Sequence, residues 1–351
     1  MSLPRSACLL LCALLLSGCA TVRYYGQAVG GALEVLNRAR YLDDVINDDA
    51  TPAETARKLR LARDIRYFAS DSLGLPDNRS YLKYTDLGRR YLIWNVVATP
   101  ELSLSPRLEC FLVVGCLSYR GFFDEHDARA YAAQHAAAGD DVFVYGIPAY
   151  STLGWFYDPL VNTFLGYGEL DLARLIFHEL AHQRLYVKDD TAFNEAFATA
   201  VELEGARRWL AWRGVQGSAA VEQAEQRRHE FQALLGDTRA RLLALYAGQS
   251  PDADKRQGKQ QAFAELGRQY QAFKARWHGY GGYDHWFDPP PGNAHLTALA
   301  TYHEQVPAFT QLLREHGGDL PAFYRAAAAL AARDRAAREA DLQALAQRAR
   351  D

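Results

Sequence analysis

The sequence has 351 residues, of which 49 % are hydrophobic and 23 % are charged. This composition is typical of an ordinary folded protein. The formal net charge of −3 argues against a broadly basic surface, and we therefore expect no nucleic-acid partner. The length suits one large domain, or a domain with a helical extension.

The N-terminus has the pattern of an export signal. Arg5 precedes an apolar run at residues 7–16, which is too short to span a bilayer and is typical of a secretory signal. Leu16-Ser17-Gly18-Cys19 then resembles the bacterial lipobox, in which the cysteine is lipidated and becomes the first mature residue. This resemblance implies a signal peptide at residues 1–18 and a lipid on Cys19. A plain N-terminal anchor and an ordinary cleaved signal are the alternatives.

The same resemblance implies a lipoprotein of the bacterial cell envelope. Ala20, in the second mature position, resembles lipoproteins that are sent to the outer membrane, here facing the periplasm. No later apolar run is long enough to cross a membrane, so we expect membrane attachment through the lipid on Cys19 alone.

The first seventy residues are predicted to be helical. One helix is expected from Gly26 to Ile46. Thr51-Pro52-Ala53-Glu54 is typical of a helix start, and the helix that follows is expected to end near Gly74. The N-terminal part is therefore predicted to be helical.

The residue composition changes between Ser80 and Gly146. Three segments there are rich in β-branched and aromatic residues, as in strands: Tyr91–Val97, Leu108–Val114 and Val142–Tyr145. A small mixed sheet is predicted in this part of the chain.

The two cysteines beyond the leader are Cys110 and Cys116. An oxidising periplasm would let them pair, and the residues between them suit a tight hairpin. Two free thiols are the alternative, because a disulfide needs Cα atoms about 4.4 to 6.8 Å apart. We expect no zinc site at these cysteines, since neither CxxC spacing nor an adjacent histidine accompanies them.

The segment Phe177-His178-Glu179-Leu180-Ala181-His182-Gln183 contains an HExxH motif. Two histidines four residues apart project from one face of a helix, so both can reach a single metal ion. Glu179 lies beside that face, where its carboxylate can take a proton from water at the metal. A core-facing helix that carries the motif by chance is the structural alternative.

A catalytic zinc ion typically has three protein ligands, so the motif needs a further ligand. Asp190 or Thr191 is the expected N-cap of a second helix that reaches about Trp212. Glu195 falls in the first turn of this helix and is the predicted third ligand. Two glutamates further along the same helix compete for the role: Glu202 and Glu204.

The sequence HELAHQ, followed by FNEAFA at residues 193–198, resembles the HELAHQ and NEGFA signatures of zinc aminopeptidases of the gluzincin clan. The resemblance implies one zinc ion and four active-site residues, namely the ligands His178, His182 and Glu195 and the general base Glu179. From about Tyr150 to Gly205 the chain also resembles a family of bacterial lipoproteins described as predicted aminopeptidases.

The chain departs from the large aminopeptidases upstream of the motif. Those enzymes bind the substrate's free amine with a glutamate of a GAMEN-type segment, which residues 149–158 do not contain. Ser151–Tyr157 is predicted to be an edge strand that binds an extended peptide by strand addition. Asp158 and Glu169 are the candidates for holding the amine.

An aromatic and proline-rich segment occupies residues 280–295. Zinc peptidases stabilise the oxyanion of the reaction with a tyrosine or histidine, and we predict Tyr283 and His295 for this role. His285 and Tyr302 are further candidates. For each of them, packing of the segment onto the surface is the alternative.

The order of elements predicts an α+β, zincin-like fold, with a small mixed sheet, an active-site helix and a largely α-helical remainder. Residues 218–275 are expected to form two antiparallel helices. We expect one metallopeptidase domain at residues 19–351, composed of three successive parts: helices at 19–78, the sheet and active-site helices at 79–212, and helices at 213–351.

These features predict a zinc-dependent metallopeptidase of the cell envelope, an aminopeptidase in its first interpretation, with peptides as substrates. One alternative is a lipid-anchored binding or scaffold protein with a structural or vestigial zinc site. Another is a peptidase or amidase that acts on cell-wall peptides.

Overall fold

A computed structural model describes residues 22–111, 115–149, 152, 156–215, 218–300 and 305–349. The expected signal peptide, Cys19 and Tyr302 lie outside these residues, as does most of the predicted edge strand at 151–157. The described chain is mostly helical with small sheets, which makes the protein an α+β protein. Within it, no helix has the length and apolar character needed to cross a membrane.

The elements are numbered in chain order. The helices are α1 (residues 22–37), α2 (Leu42–Ile46), α3 (Ala53–Leu73), α4 (Glu125–Ala137), α5 (Asn162–Leu165), α6 (Glu169–Arg184), α7 (Thr191–Trp212), α8 (Ala219–Ala247), α9 (Asp252–Arg276), α10 (Asn293–Ala300), α11 (Val306–Glu315), α12 (Leu320–Ala331) and α13 (Arg335–Arg348). The strands are β1 (Arg40–Tyr41), β2 (Lys83–Thr85), β3 (Ile93–Pro100), β4 (Glu109–Phe111), β5 (Gly115–Leu117), β6 (Arg120–Phe122), β7 (Asp140–Ile147) and β8 (Leu160–Val161).

The N-terminal helices differ from the prediction in one place. The single helix predicted over Gly26–Ile46 is wrong in its middle, because β1 leaves the helical path to pair with β2. The second helix is confirmed as α3, which ends at Gly74. This glycine has a φ of 63°, a left-handed conformation that closes a helix and that glycine adopts without steric cost.

The predicted single sheet is divided into smaller ones. Strands β6, β3 and β7 form an antiparallel sheet, in which β3 and β7 pair from Ile93↔Ile147 to Pro100↔Asp140. A separate mixed sheet contains β1, β2 and β8, since β2 pairs with the distant β8 rather than with β3. Strands β4 and β5 form a hairpin in which Cys110 and Cys116 face each other and are joined by a disulfide bond.

The helices that carry the motif pack against each other through a shared core. Leu172, Ile176 and Leu180 of α6 belong to the same buried cluster as Phe193 and Val201 of α7. The two helices approach closely, because α7 has a glycine at position 205. A Cβ atom there would lie 2.7 Å from the ring of Phe177, so no larger side chain fits without a shift.

Helices α8 and α9 confirm the two helices predicted over residues 218–275. Their buried residues, among them Phe231, Leu242 and Tyr270, form a second cluster with Trp286 and Leu296. This cluster contains no residue of α6 or α7. Helices α8 and α9 are called the helical hairpin below.

The last helices return to the main core. Phe309 of α11 and Phe323 of α12 pack against Phe197 of α7, with ring centroids 5.8 Å away in both cases. Helix α13 reaches the start of α7, where Arg338 forms a buried ion pair with Asp190. The C-terminal helices therefore support the helix that carries the predicted third metal ligand.

Candidate active site

Helix α6 brings the two motif histidines together on one face. The Nε2 atoms of His178 and His182 lie 3.1 Å apart, and the two rings are nearly perpendicular. This is the arrangement expected of histidines four residues apart on a helix. Both rings direct their Nε2 atoms toward one point beside the helix.

The turn between α6 and α7, residues 185–190, directs the first turn of α7 toward that point. Asp190 caps α7 by accepting a hydrogen bond from the backbone N–H of Phe193 at 3.2 Å. The side chain of Asn194 accepts from the N–H of Val187 at 2.7 Å and donates to its carbonyl oxygen at 2.8 Å. The turn is thus pinned from both sides, and the next residue, Glu195, points at the histidines.

The carboxylate of Glu195 completes a group of three ligand atoms. Its Oε2 lies 3.2 Å from His178 Nε2 and 3.7 Å from His182 Nε2. Zinc ligands at about 2.0–2.2 Å in a tetrahedral site are roughly 3.3 Å from one another, so the three spacings suit one ion. The distances are measured between the ligand atoms themselves, and two imidazole nitrogens with one carboxylate oxygen are a donor set that zinc binds.

Glu202 and Glu204 have other partners. Glu202 Oε2 lies 3.2 Å from Nδ1 of His178, the ring nitrogen opposite to the one that faces Glu195. Glu204 instead forms ion pairs with Arg207 and Arg208. Of the three glutamates that sequence reasoning considered, only Glu195 belongs to the group of ligand atoms.

Burial and charge shift the pKa of the acidic residues in opposite directions. For Glu195, burial acts to raise the pKa, but the charge of His182 and hydrogen bonds from both histidines lower it to about 2. For Glu179, burial raises the pKa, and the nearby histidines only partly oppose this effect. Glu195 is therefore an anionic ligand, whereas Glu179 is the more basic carboxylate of the two.

A cavity of about 490 Å³ lies over this group. Residues of α6 and α7 line it, together with Asn95 of β3, the end of β7 and two residues at the end of the disulfide hairpin, Leu117 and Tyr119. Apolar side chains such as Leu117, Ile147 and Leu175 alternate there with polar ones. A cleft of this size and mixed lining suits a short stretch of peptide.

Two tyrosines that sequence reasoning missed line the cavity: Tyr119 and Tyr186. Burial, with the charge of Glu195, raises the pKa of both hydroxyls, so each remains a hydrogen-bond donor. The charge of Glu179 also acts on Tyr119. No local motif marks either residue, because Tyr119 reaches the site only through the packing of the β4–β5 hairpin against the turn before α7.

The predicted oxyanion donors, Tyr283 and His295, do not line the cavity. The ring of Tyr283 stacks on Phe231 of the helical hairpin, with centroids 4.1 Å apart. The ring of His295 is buried against Phe143 of β7, and its Nδ1 accepts a hydrogen bond from the N–H of Gly292. The structure brings neither residue into the cavity wall, because the aromatic segment packs into a core, and their role as oxyanion donors stays a prediction. His285 is likewise not among the residues that line the cavity.

The candidate amine-binding residues also lie elsewhere. Asp158 is buried, accepts a hydrogen bond from the N–H of Thr152 and does not line the cavity. Glu169 binds Arg213 and the indole N–H of Trp209. In the predicted edge strand, Thr152, Phe156 and Tyr157 are described, and Thr152 Oγ1 accepts a hydrogen bond from the N–H of Phe156 and donates one to its carbonyl oxygen.

One end of the cavity is charged. Asp171 and Arg174 of α6 meet Glu202 of α7 and Arg228 of α8 there. Arg174 and Arg228 both pair with Glu225 of α8, at 2.6 and 3.0 Å. Asp171 forms no ion pair with any described residue.

The β4–β5 hairpin is fastened to the turn between the two site helices. The N–H of Cys116 donates to Oδ1 of Asp189 at 2.9 Å. Gly115 has a φ of 81° and lies so close to Asp189 that a Cβ atom would collide with its carboxylate. The disulfide hairpin thereby holds Leu117 and Tyr119 in the cavity wall.

A family model described as "Putative aminopeptidase" matches residues 23–342 of this chain. Searches of curated proteins and of solved structures gave no match. The matched range contains the histidines, both carboxylates of the site and the first part of α13 with Arg338. Because the match covers nearly the whole chain, the protein belongs to this aminopeptidase-like family.

Proposed function

We propose that the protein is a zinc-dependent aminopeptidase with a zincin-like active site of the gluzincin type. The convergence of His178 Nε2, His182 Nε2 and Glu195 Oε2 on one point carries the proposal. The fit of their spacings to a tetrahedral zinc ion supports the metal, and the family membership supports the class of reaction.

The chemistry assigns separate roles to the site residues. Zinc held by the three ligands supplies a Lewis acid that polarises a peptide carbonyl and promotes ionisation of water. Glu179 takes a proton from the attacking water as the new C–O bond forms. It returns that proton to the leaving nitrogen as the C–N bond breaks, so the peptide is hydrolysed without a net change at Glu179. Its raised pKa suits this exchange.

Tyr119 is the best-placed hydroxyl for stabilising the oxyanion. Besides burial, the charges of both Glu195 and Glu179 raise the pKa of its hydroxyl, whereas Glu195 and Asp189 are the charges that raise the pKa of Tyr186. The carbonyl under attack must lie between the base and the metal ligands. A protonated hydroxyl on that side can donate to the oxygen as negative charge develops.

Asp171 is the carboxylate available to a substrate ammonium group. The other carboxylates in the cavity wall have a partner or a role, whereas Asp171 is exposed and has no ion-pair partner among the described residues. It lies seven residues before His178, about 10 Å along α6, which an extended peptide covers in about three residues. An ammonium group at Asp171 would therefore lie about three residues before the scissile bond, which suits release of a short N-terminal peptide rather than of a single residue.

The expected location is part of the proposal. A lipid on Cys19 would attach the protein to the outer membrane, with the active site in the periplasm. The lipobox-like residues 16–19 support this, and so does the disulfide between Cys110 and Cys116, which suits an oxidising compartment.

The decisive experiment compares wild type with Glu179→Gln, using leaderless protein loaded with zinc and a peptide library read by mass spectrometry. We expect the variant to keep zinc and to lose about 10²–10⁴-fold in turnover. Glu204→Gln, which makes the same change outside the cavity, is the matched control. Full activity of Glu179→Gln would refute the assigned base.

The products decide the kind of peptidase. Removal of residues from free amino termini, lost when the substrate is N-acetylated and weakened by Asp171→Asn, is the expected result. Internal cuts in acetylated peptides would make the protein an endopeptidase. Zinc binding without hydrolysis of any peptide would favour a binding or scaffold role.

A further inference from the structure

The helical hairpin contacts α6 and α7 through ion pairs. Its apolar core is separate from that of α6 and α7. In the described parts of the chain, the ion pairs from α8 to these helices are Arg174–Glu225 at 2.6 Å and Arg228–Glu202 at 3.7 Å. These ion pairs are the polar connection between α8 and the two site helices.

The four residues form a closed cluster. Glu225 accepts from both Arg174 and Arg228, at 2.6 and 3.0 Å. Glu202 Oε1 lies 3.8 Å from Arg174 Nε and 3.7 Å from Arg228 Nη1. The side chains of Arg174 and Glu202 are 12 % and 15 % exposed, so solvent screens them poorly.

Glu202 connects this cluster to the metal ligands. One of its oxygens faces the two arginines, and the other lies 3.2 Å from Nδ1 of His178. A carboxylate on Nδ1 fixes the tautomer that carries the proton there, and it leaves Nε2 free for a metal ion. The orientation of His178 therefore depends on a carboxylate whose own position depends on α8.

We propose that the cluster of Arg174, Glu202, Glu225 and Arg228 couples docking of the helical hairpin to metal binding at His178. Glu202 and Arg228 are positioning residues, since neither belongs to the ligand group. The inference rests on the proposed zinc site. Coupling of this kind is reciprocal: if docking of α8 raises zinc affinity by some factor, zinc raises the stability of docking by the same factor.

The first test measures zinc affinity by competition with a chromogenic chelator, without any peptide. We expect Arg228→Met to weaken zinc binding by about 10-fold, the lower end of the range for residues that orient ligand histidines, because Arg228 acts through Glu202. Arg228→Lys keeps the charge and should restore part of the loss. Arg227→Met, which removes the neighbouring arginine that stacks on Tyr280, is the matched control and should bind zinc as wild type does.

The second test measures the reverse direction. Hydrogen exchange of the α8 backbone should slow when zinc is added to wild type, by a factor close to the affinity change measured above. The slowing should be absent in Arg228→Met. Glu225→Gln provides an independent variant at a half-exposed position, in case Arg228→Met unfolds.

The outcomes separate the two proposals. Unchanged zinc affinity in Arg228→Met and Glu225→Gln, with α8 exchange insensitive to zinc, would overturn the coupling and leave the peptidase proposal intact. If zinc affinity and α8 exchange change as expected but the protein cleaves no peptide, the coupling would stand and the proposed peptidase activity would be refuted. A wild type that binds no zinc would overturn both.

Discussion

Glu195 and Glu202 lie on the same face of α7, seven residues apart, and yet they contact opposite nitrogens of His178. The difference follows from their distance along the helix, because only the first turn of α7 comes near His182 as well. Glu195 therefore lies near Nε2 of both histidines, whereas Glu202 contacts only His178, at Nδ1. Residue type and helix face alone could not distinguish the two roles.

The hydroxyl of Tyr119 provides a prediction at this scale. Tyr119→Phe should lower kcat by about 10²–10³-fold, the usual cost of losing an oxyanion donor, with zinc affinity unchanged. Tyr186→Phe should have the smaller effect, since the charge of Glu179 is among those that act on Tyr119. Tyr283→Phe is the control and should keep its kcat, because its ring packs in the helical hairpin. Equal kcat values for Tyr119→Phe and wild type, measured on one peptide, would exclude Tyr119.

Asp158 provides a pH-dependent prediction. Burial raises the pKa of this carboxyl to about 6, from an ordinary value near 4. A folded-state pKa above the unfolded one means that the folded protein binds the proton more tightly. The protonated carboxyl thus makes its full contribution to the free energy of unfolding below about pH 4. This contribution is lost as the pH rises through 6, a change of about 3 kcal/mol.

Asp158→Asn should remove this contribution. Urea unfolding between pH 4 and 7 would show it as a flatter pH profile and as a higher stability at pH 7 relative to wild type. Asp64→Asn, at an exposed position of α3, controls for the loss of a negative charge. A pH profile for Asp158→Asn that is parallel to that of wild type would contradict the assignment.

At the scale of elements, the turn between α6 and α7 is held from two sides. Asp189 accepts a hydrogen bond from the disulfide hairpin, and Asp190 pairs with Arg338 of α13 at 2.7 Å. Both partners of this ion pair are buried, with 6 % and 8 % of their side chains exposed. Removing one partner leaves the other as an uncompensated buried charge.

Arg338→Met should therefore destabilise the protein by about 3–5 kcal/mol, measured by urea unfolding. Arg335→Met, on the same helix, removes an exposed arginine that pairs with Glu339, and should change stability by roughly 0–1 kcal/mol. Similar unfolding midpoints for the two variants would show that α13 does not support the turn. Zinc affinity should fall in Arg338→Met as well, since Glu195 follows the same turn.

The helices and the ligand group could be predicted because their determinants are local. The four-residue spacing in α6, the cap at Asp190 and the position of Glu195 all lie within eighteen residues of His178. The cavity wall could not be predicted in the same way. Tyr119, Asn95 and Arg228 reach the site from strands and helices far away in the chain, and only the tertiary packing brings them together.

The differences from the prediction have a similar origin. An aromatic segment is suited both to covering a site and to filling a core, and here Tyr283 and Trp286 pack in the core of the helical hairpin. The short strands were misgrouped into one sheet, because strand segments of three residues carry little information about their partners.

For the whole molecule, the expected lipid anchor can be tested directly. In cells fed a labelled fatty acid, wild type should take up the label and sediment with membranes. Cys19→Ser should do neither, because the thiol that accepts the lipid is gone. Cys12→Ser changes a leader cysteine outside the lipobox-like residues and should behave as wild type. Label on Cys19→Ser would show that the attachment lies elsewhere.

The disulfide hairpin has a consequence for when the enzyme becomes complete. The disulfide bond between Cys110 and Cys116 closes a small loop, and two residues of the cavity wall follow it closely in the chain: Leu117 and Tyr119. Thiols stay reduced in the compartment where a bacterial chain is synthesised. For an exported chain, formation of the disulfide bond would then act as a maturation step. The cavity wall would be completed only after the protein had left the compartment where it is synthesised and the peptides in it.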